Sequence, residues 1–215
     1  MKMMTQSPAS APLEEVANYY AAKLAEHGMA PRGVDWNGED GQILRFAQLS
    51  RIIDHEISTF SVNDLGCGYG ALYDFLVARY PGVAYHGIDV AEEMVQAART
   101  RLAATSATFA RGDIPDRVTD YGIASGIFNI RLQQDDDAWR AHMQSTLNAL
   151  DRTSTRGFAF NCLTSWSDPE RMRSDLFYAN PVEWFDFCKR RYARNVALLH
   201  DYGLYEFTIL VRKMP

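Results

Sequence analysis

The residues best suited to chemistry form one glycine-rich segment, Asp64-Leu65-Gly66-Cys67-Gly68-Tyr69-Gly70. It lies at a predicted strand-to-helix junction, where glycines permit a tight turn and let the backbone approach a ligand closely. The start of the following helix adds the positive end of its dipole. Gly66, Gly68 and Ala71 also satisfy the loose dinucleotide fingerprint, with Asp89 at about the spacing of a ribose partner. The segment therefore predicts a site for a nucleotide-type ligand.

Asp64 separates two classes of ligand. Its carboxylate comes two residues before the first glycine, so we expect it to point into the same crevice. A carboxylate there would repel a pyrophosphate but could pair with a cationic amino-acid group. S-adenosylmethionine, which carries a ribose and an ammonium group but no phosphate, fits better than NAD. Two alternatives remain: Asp64 caps the turn, or the chain is an NAD(P)-dependent oxidoreductase.

The elements that must position this segment follow an α/β pattern, in which short β-rich runs alternate with helical ones. The sequence predicts strands at 61–65, 84–89, 107–111, 121–128 and 156–163, with helices near 71–80, 92–104 and 138–150. Two further strand-like runs, 196–202 and 205–211, flank a two-residue turn and predict an antiparallel hairpin. We therefore expect a mostly parallel sheet that ends in an antiparallel pair.

The length of 215 residues fits one domain with an elaboration. We expect a flexible tail at 1–12, a helical N-terminal cover at 13–58 and the main domain at 59–215. The cover contains predicted helices at 13–27 and 39–53, and the main domain carries an aromatic-rich insertion at 166–192.

Composition excludes several classes of function. The chain has 27 acidic and 22 basic residues, a formal charge of −5, which disfavours broad binding to a phosphate backbone. No apolar run approaches the ~18 residues of a membrane span. The three cysteines are scattered without CxxC spacing, so we expect neither a disulfide framework nor a metal site. We expect the protein to lie in a reducing cytoplasm. We expect no nucleic-acid or membrane partner, and the oligomeric state stays open.

With an acidic residue followed by three alternating glycines, the segment from Asp64 to Gly70 resembles the glycine motif of class I S-adenosylmethionine-dependent methyltransferases. The resemblance continues through about 61–130 in four further motifs: His86-Gly87-Ile88-Asp89, Ala91-Glu92-Glu93-Met94, Phe109-Ala110-Arg111-Gly112-Asp113-Ile114 and Ser125-Gly126-Ile127-Phe128-Asn129. It implies an enzyme with a Rossmann-like, seven-stranded sheet. It also implies S-adenosylmethionine as cofactor and S-adenosylhomocysteine as product.

The resemblance also implies roles for single residues. Asp89 would take the ribose hydroxyls, Met94 would lie against the adenine, and Asp113 would meet the adenine amino group. The full implied donor-binding set is Asp64, Gly66, Gly68, Gly70, Asp89, Val90, Met94, Asp113 and Ile114, with Arg45 (or Gln42) for the methionine carboxylate. The alternatives are a helix cap for Asp89, core packing for Met94 and a simple turn for Asp113.

The acceptor should lie outside the carboxyl ends of the strands, where open α/β sheets bind ligands. Asn129 and Arg131 follow the fourth predicted strand, and His200 reaches the same edge if the sixth strand runs parallel. Asn129 and His200 are the candidate catalytic residues: Asn129 by its position after the fourth strand, and His200 because an imidazole titrates near ~6.5 and can act as a general base. The alternative for His200 is a surface or packing histidine.

Aromatic walls can exclude water and stack on an acceptor. The predicted acceptor-binding residues are Tyr19, Tyr20, Trp36, Asn129, Arg131 and Tyr178, although each aromatic ring could equally serve core packing. The expected reaction is in-line methyl transfer to a small molecule, a metabolite or natural product. A nucleic-acid acceptor is an alternative, but the base-methylation motif is absent at 126–129 and the basic cluster 189–194 is typical of a solvated helix end. A further alternative is a donor-binding protein that supports a partner subunit and performs no catalysis itself.

Overall fold

The computed structural model describes residues 11–213. Most of the predicted tail at 1–12 lies outside the described residues; Ala11 and Pro12 belong to the first helix. The helices are α1 (Ala11–His27), α2 (Glu39–Ser50), α3 (Ala71–Val77), α4 (Glu92–Arg101), α5 (Asp136–Thr153) and α6 (Pro181–Arg191). The strands are β1 (Thr59–Leu65), β2 (Gly82–Asp89), β3 (Thr108–Arg111), β4 (Thr119–Ala124), β5 (Ser154–Leu163), β6 (Asn195–Leu199) and β7 (Glu206–Arg212).

The strands form one seven-stranded sheet in the order β3-β2-β1-β4-β5-β7-β6. All neighbouring pairs are parallel except those of β7, which runs antiparallel to both β5 and β6. This arrangement confirms the predicted fold class. The carboxyl ends of β1 to β6 and the start of β7 therefore share one edge of the sheet.

Helices cover both faces of the sheet because the central strands are apolar on both sides. On one face, α5 presents Trp139, Met143, Leu147 and Leu150 at helical spacing, and all four are buried beside the strands. On the other face, α2 and α3 pack against β1, β2 and β4. Burial of each such large apolar side chain stabilises the fold by about 1.5–3 kcal/mol.

Two predicted boundaries are wrong at the carboxyl edge of the sheet. The fourth strand ends at Ala124 instead of 128, because Gly126 takes a left-handed φ of +73° and donates its N–H to the Asn161 side chain. The hairpin connection runs from residue 200 to 205 instead of spanning two residues. Part of it pairs elsewhere, since the carbonyl of Tyr205 accepts a hydrogen bond from the N–H of Thr164.

The segments predicted as cover and insertion contain regular structure. Residues 13–58 hold α1, α2 and a short 3-10 helix at Pro31–Val34, and residues 166–192 hold a 3-10 helix at Pro169–Arg171 and α6. The division into a cover and a main domain stays a prediction. Over residues 11–213, no helix has both the length and the apolar character needed to cross a membrane.

Candidate donor and acceptor sites

The first cavity, called the donor cavity below, lies at the carboxyl edge of the sheet. The loop after β1 contributes Asp64, Gly66 and Gly68, and the end of β2 contributes Asp89 and Val90. Residues of α1 and the loop before α2 form the opposite wall, including Val16, Tyr20, Val34 and Trp36. The glycine segment and the N-terminal region therefore enclose one space.

Two glycines of the segment are required by their surroundings. Gly66 and Gly68 have φ values of +76° and +53°, a region that side chains rarely adopt. A Cβ atom on Gly66 would lie 2.1 Å from Ile127 Cγ2, and one on Gly68 would lie 2.8 Å from Val34 Cγ1. Gly70 is placed differently from the prediction: it precedes α3 and does not line the donor cavity.

Two buried carboxylates face the donor cavity. Asp64 accepts a hydrogen bond from the hydroxyl of Tyr85, and burial raises the pKa of Asp64 to about 7. Asp89 accepts hydrogen bonds from the N–H groups of Gly68 at 2.8 Å and Ala91 at 3.0 Å, while burial also raises its pKa. Asp89 thus braces the backbone just before α4 and still lines the cavity, so its two predicted roles are compatible.

The remaining predicted donor residues divide into two groups. Val90, Met94 and Asp113 line the donor cavity, and Met94 is only 1% exposed. Ile114 is 49% exposed and does not line it. Arg45 also lies outside the donor cavity, because its guanidinium is held by Glu206 at the neighbouring second cavity.

Further polar residues of the donor cavity include Gln42, which was predicted as the alternative to Arg45, and His142 and Thr146, which were not predicted from the sequence. Gln42 of α2 lines it and accepts a hydrogen bond from the Tyr69 hydroxyl at 3.3 Å. His142 and Thr146 enter it from α5, and burial lowers the pKa of His142. His142 follows the buried Trp139 by one helical turn, a periodicity signal that a search restricted to strand ends does not use.

The chemistry of the residues that line the donor cavity suits a nucleoside that carries an ammonium group. The hydroxyl of Ser125 is buried against it without a hydrogen-bond partner among the described residues. Buried polar groups normally have partners, so a ligand atom would complete this one. The close backbone at Gly66 and Gly68 and the acidic pair of Asp64 and Asp89 complement the rest of such a ligand.

A second cavity of about 790 Å³, called the acceptor cavity below, adjoins the first. Tyr20, Val34 and Trp36 line both cavities and form their common wall. The predicted insertion supplies the outer part of the acceptor cavity, including Ser167, Arg171, Arg173, Leu176 and Tyr178. The cover and the insertion thus meet around the same space.

Of the predicted acceptor residues, Tyr20, Trp36, Asn129 and Tyr178 line the acceptor cavity. Tyr19 does not line it; its hydroxyl donates to Asp35 Oδ2 at 2.8 Å.

Arg131 also lies outside the cavity. Its guanidinium donates to the carbonyl of Leu176 at 3.2 Å and to that of Gln134 at 2.5 Å, so it ties the turn after β4 to the insertion.

The two candidate catalytic residues lie in different surroundings. Asn129 Oδ1 accepts the N–H of Leu163 at 3.1 Å, so the side chain is fixed at the wall of the acceptor cavity. His200 follows β6 at the expected edge but lines neither cavity; its ring packs 5.2 Å from that of Trp166. The catalytic roles of both residues stay predictions.

The fold and the lining of the donor cavity define an α/β protein with a nucleoside-type site at the carboxyl edge of its sheet. A family model described as a methyltransferase domain matches residues 62–152. Rv1506c of Mycobacterium tuberculosis, which is named as a methyltransferase, is 59% identical over 155 residues, covering 72% of this chain and 93% of that protein. The chain belongs to the class I S-adenosylmethionine-dependent methyltransferases, and S-adenosylmethionine is its cofactor.

Solved structures confirm the fold. The magnesium protoporphyrin IX methyltransferase ChlM of Synechocystis PCC 6803, with bound S-adenosylmethionine, superposes with a TM-score of 0.65 at 14% identity, covering 97% of this chain and all of that one. A DhpI complex with S-adenosylmethionine (SAM) and HEP gives a TM-score of 0.63 at 17% identity and covers 95% of this chain. At these identities the likeness concerns the arrangement of strands and helices.

Proposed function

We propose that this enzyme methylates a small-molecule acceptor, a metabolite or natural product, held in the acceptor cavity. The observation that carries the proposal is the common wall of Tyr20, Val34 and Trp36 between the two cavities. Because these three residues border both cavities, an acceptor in the second cavity lies next to a donor in the first, and methyl transfer takes place where the two cavities adjoin. The volume of about 790 Å³ falls within the ~300–1,000 Å³ of small-ligand sites.

Within this proposal, the chain binds and orients the donor through the residues that line the first cavity. Asp64 pairs with the ammonium group, Asp89 accepts the ribose hydroxyls, and Val90, Met94 and Asp113 contact the adenine. When bound, S-adenosylmethionine would supply the methyl group of a positively charged sulfonium, for in-line transfer to the acceptor with S-adenosylhomocysteine as the leaving group. The main task of the chain is therefore to align the acceptor atom and to exclude water.

The acceptor cavity offers aromatic and polar contacts for that alignment. Trp36 and Tyr178 provide ring faces, and burial raises the pKa of Tyr20, so its phenol keeps its proton. Arg173 is oriented by Asp175, with Nε–Oδ1 at 3.1 Å and Nη2–Oδ2 at 2.5 Å. A planar or apolar acceptor with a polar substituent would match this lining.

A nucleic-acid acceptor receives no comparable support. The basic cluster 189–194 lies at the end of α6 and lines neither cavity. Within it, Arg190 is paired with Asp186 at 2.7 Å, as expected for a solvated helix end.

All three cysteines are buried free thiols, which supports our proposal of a reducing, cytoplasmic location.

Methyl-labelled S-adenosylmethionine tests the proposal directly. The purified protein is incubated with a metabolite extract and, separately, with the RNA, DNA and protein fractions of the same cells. We expect label in the metabolite fraction and none with Asp89→Ala, which removes the ribose partner. Label confined to a macromolecular fraction would overturn the small-molecule proposal. Binding of S-adenosylhomocysteine without transfer to any fraction would instead indicate a donor-binding partner protein.

A further inference from the structure

Glu206, the first residue of β7, is a buried carboxylate that is fully engaged by two side chains. It is only 2% exposed. Arg45 Nε lies 3.0 and 2.9 Å from its two oxygens, and Arg45 Nη2 donates to Oε1 at 2.5 Å. Asn161 Nδ2 donates to Oε2 at 2.6 Å. A buried charge is tolerated only with such partners, so these three side chains hold one another in a single geometry.

Both partners of Glu206 lead to the junction between the two cavities. The Arg45 guanidinium lies 3.9 Å from the centroid of the Trp36 ring, and Asn161 Oδ1 accepts the N–H of Gly126 at 2.8 Å. Gly126 and Trp36 also touch: a Cβ atom on Gly126 would lie 2.5 Å from the Trp36 ring. Glu206, Arg45, Trp36, Gly126 and Asn161 therefore form a closed ring of contacts, called the junction ring below.

The junction ring joins four parts of the chain that are distant in sequence. Trp36 belongs to the common wall of the two cavities, and Gly126 lies in the turn after β4 and lines the acceptor cavity. Asn161 and Glu206 come from the neighbouring strands β5 and β7. A shift of any member would move the Trp36 ring relative to the turn at Gly126.

We propose that Glu206 is a positioning residue for methyl transfer, which holds Trp36 through Arg45 and the Gly126 backbone through Asn161 on the two sides of the junction. This inference rests on the proposed function, because it requires the acceptor to meet the donor at that junction. Misplacement of reacting groups by ~1 Å can cost ~100-fold in rate. Because removal of one partner of a buried ion pair is also destabilising, the test must separate an effect on positioning from an effect on folding.

The test compares Glu206→Gln with Asp151→Asn. Both exchange a carboxylate for an amide, and Asp151 pairs with Lys213 at 2.9 Å near the opposite end of β7, away from both cavities. For Glu206→Gln we expect kcat to fall by about tenfold or more, with a smaller change in KM and a Kd for S-adenosylhomocysteine within about threefold of wild type. Asp151→Asn should retain kcat even if its melting temperature falls.

The kinetic arm uses whichever acceptor takes the label, so a macromolecular acceptor would refute the proposed function and leave this test intact. A second arm needs no acceptor: the indole N–H signal of Trp36, assigned with Trp36→Phe, should shift or broaden in Glu206→Gln and stay in place in Asp151→Asn. An unchanged kcat or an unchanged indole signal would overturn the inference. If Glu206→Gln does not fold, Arg45→Lys replaces it, since lysine keeps the charge without the bidentate pair.

Discussion

Donor binding is expected to depend on pH through Asp64. Burial raises the pKa of this carboxyl from 3.8 to about 7 in the donor-free protein. Only the ionised form attracts the ammonium group of the donor. With a pKa of about 7, about one carboxyl in eleven is ionised at about pH 6 and about ten in eleven at about pH 8. The affinity for S-adenosylhomocysteine should therefore fall roughly tenfold, about 1.4 kcal/mol, from pH 8 to pH 6.

Titration calorimetry measures this effect in two ways. The Kd gives the pH profile, and the heat in two buffers of different ionisation enthalpy gives the proton that Asp64 releases when the donor binds near pH 6. Burial raises the pKa of Cys67 in the cavity, and that of Tyr85 beside Asp64, well above their ordinary values, whereas it lowers the pKa of His142.

Two results would refute the reasoning. One is a Kd that stays the same in the wild type from about pH 6 to about pH 8. The other is a wild-type pH profile in Asp64→Asn, which keeps an oxygen acceptor for the Tyr85 hydroxyl but cannot ionise.

The same raised pKa has a consequence for stability. Because the folded protein holds the proton of Asp64 more tightly than the unfolded chain, this carboxyl contributes stability that is fully present below about pH 3.8. That stability is lost as the pH rises through about 7. The difference corresponds to at most on the order of 4 kcal/mol. Donor-free Asp64→Asn should therefore melt at a higher temperature than the wild type at about pH 8, and the gap should close near pH 4. Equal melting temperatures at pH 8 would contradict this assignment.

Three further substitutions test other parts of the site. Asp89→Ala should abolish detectable binding of S-adenosylhomocysteine by calorimetry and cost about 1–2 kcal/mol of unfolding free energy, because the N–H of Gly68 loses its acceptor. Gly126→Ala should destabilise the protein by about 1–3 kcal/mol and lower methyl transfer, because its Cβ would lie 2.5 Å from the Trp36 ring; a denaturant melt identical to wild type would contradict this. The imidazole of His142 should titrate below 6.5 by NMR and shift when S-adenosylhomocysteine binds, and His142→Gln should remove that signal.

The local sequence was sufficient to predict the conformation of the glycine-rich loop after β1, called the donor loop here. The positive φ angles at Gly66 and Gly68 are conformations that glycine adopts without strain, so the residue types themselves reveal the turn. The position of Asp89 could be predicted because it ends β2, the strand that follows β1 in the chain and pairs with it in parallel. The loops after these two strands therefore lie side by side. Ile114 is 49% exposed, so its side chain does not line the donor cavity, and the implied contact of its backbone with the adenine stays a prediction.

The acceptor side depended on contacts between distant segments. Arg45 and Glu206 are 161 positions apart, and they meet only because β7 inserts between β5 and β6. The resemblance implied Arg45 or Gln42 for the donor; Gln42 lines the donor cavity, while the paired carboxylate holds Arg45 at the acceptor cavity. His142 was missed because a helix face becomes part of a cavity only after the helix packs on the sheet.

The sequence by itself determined the class of the protein, its cofactor and the core of the donor loop, because these depend on backbone conformations and charges encoded within a few consecutive residues. Tertiary structure decided which side chains meet between the two cavities. There Glu206, Arg45 and Trp36 converge from β7, α2 and the preceding loop, and burial makes their pairing obligatory once the sheet has formed.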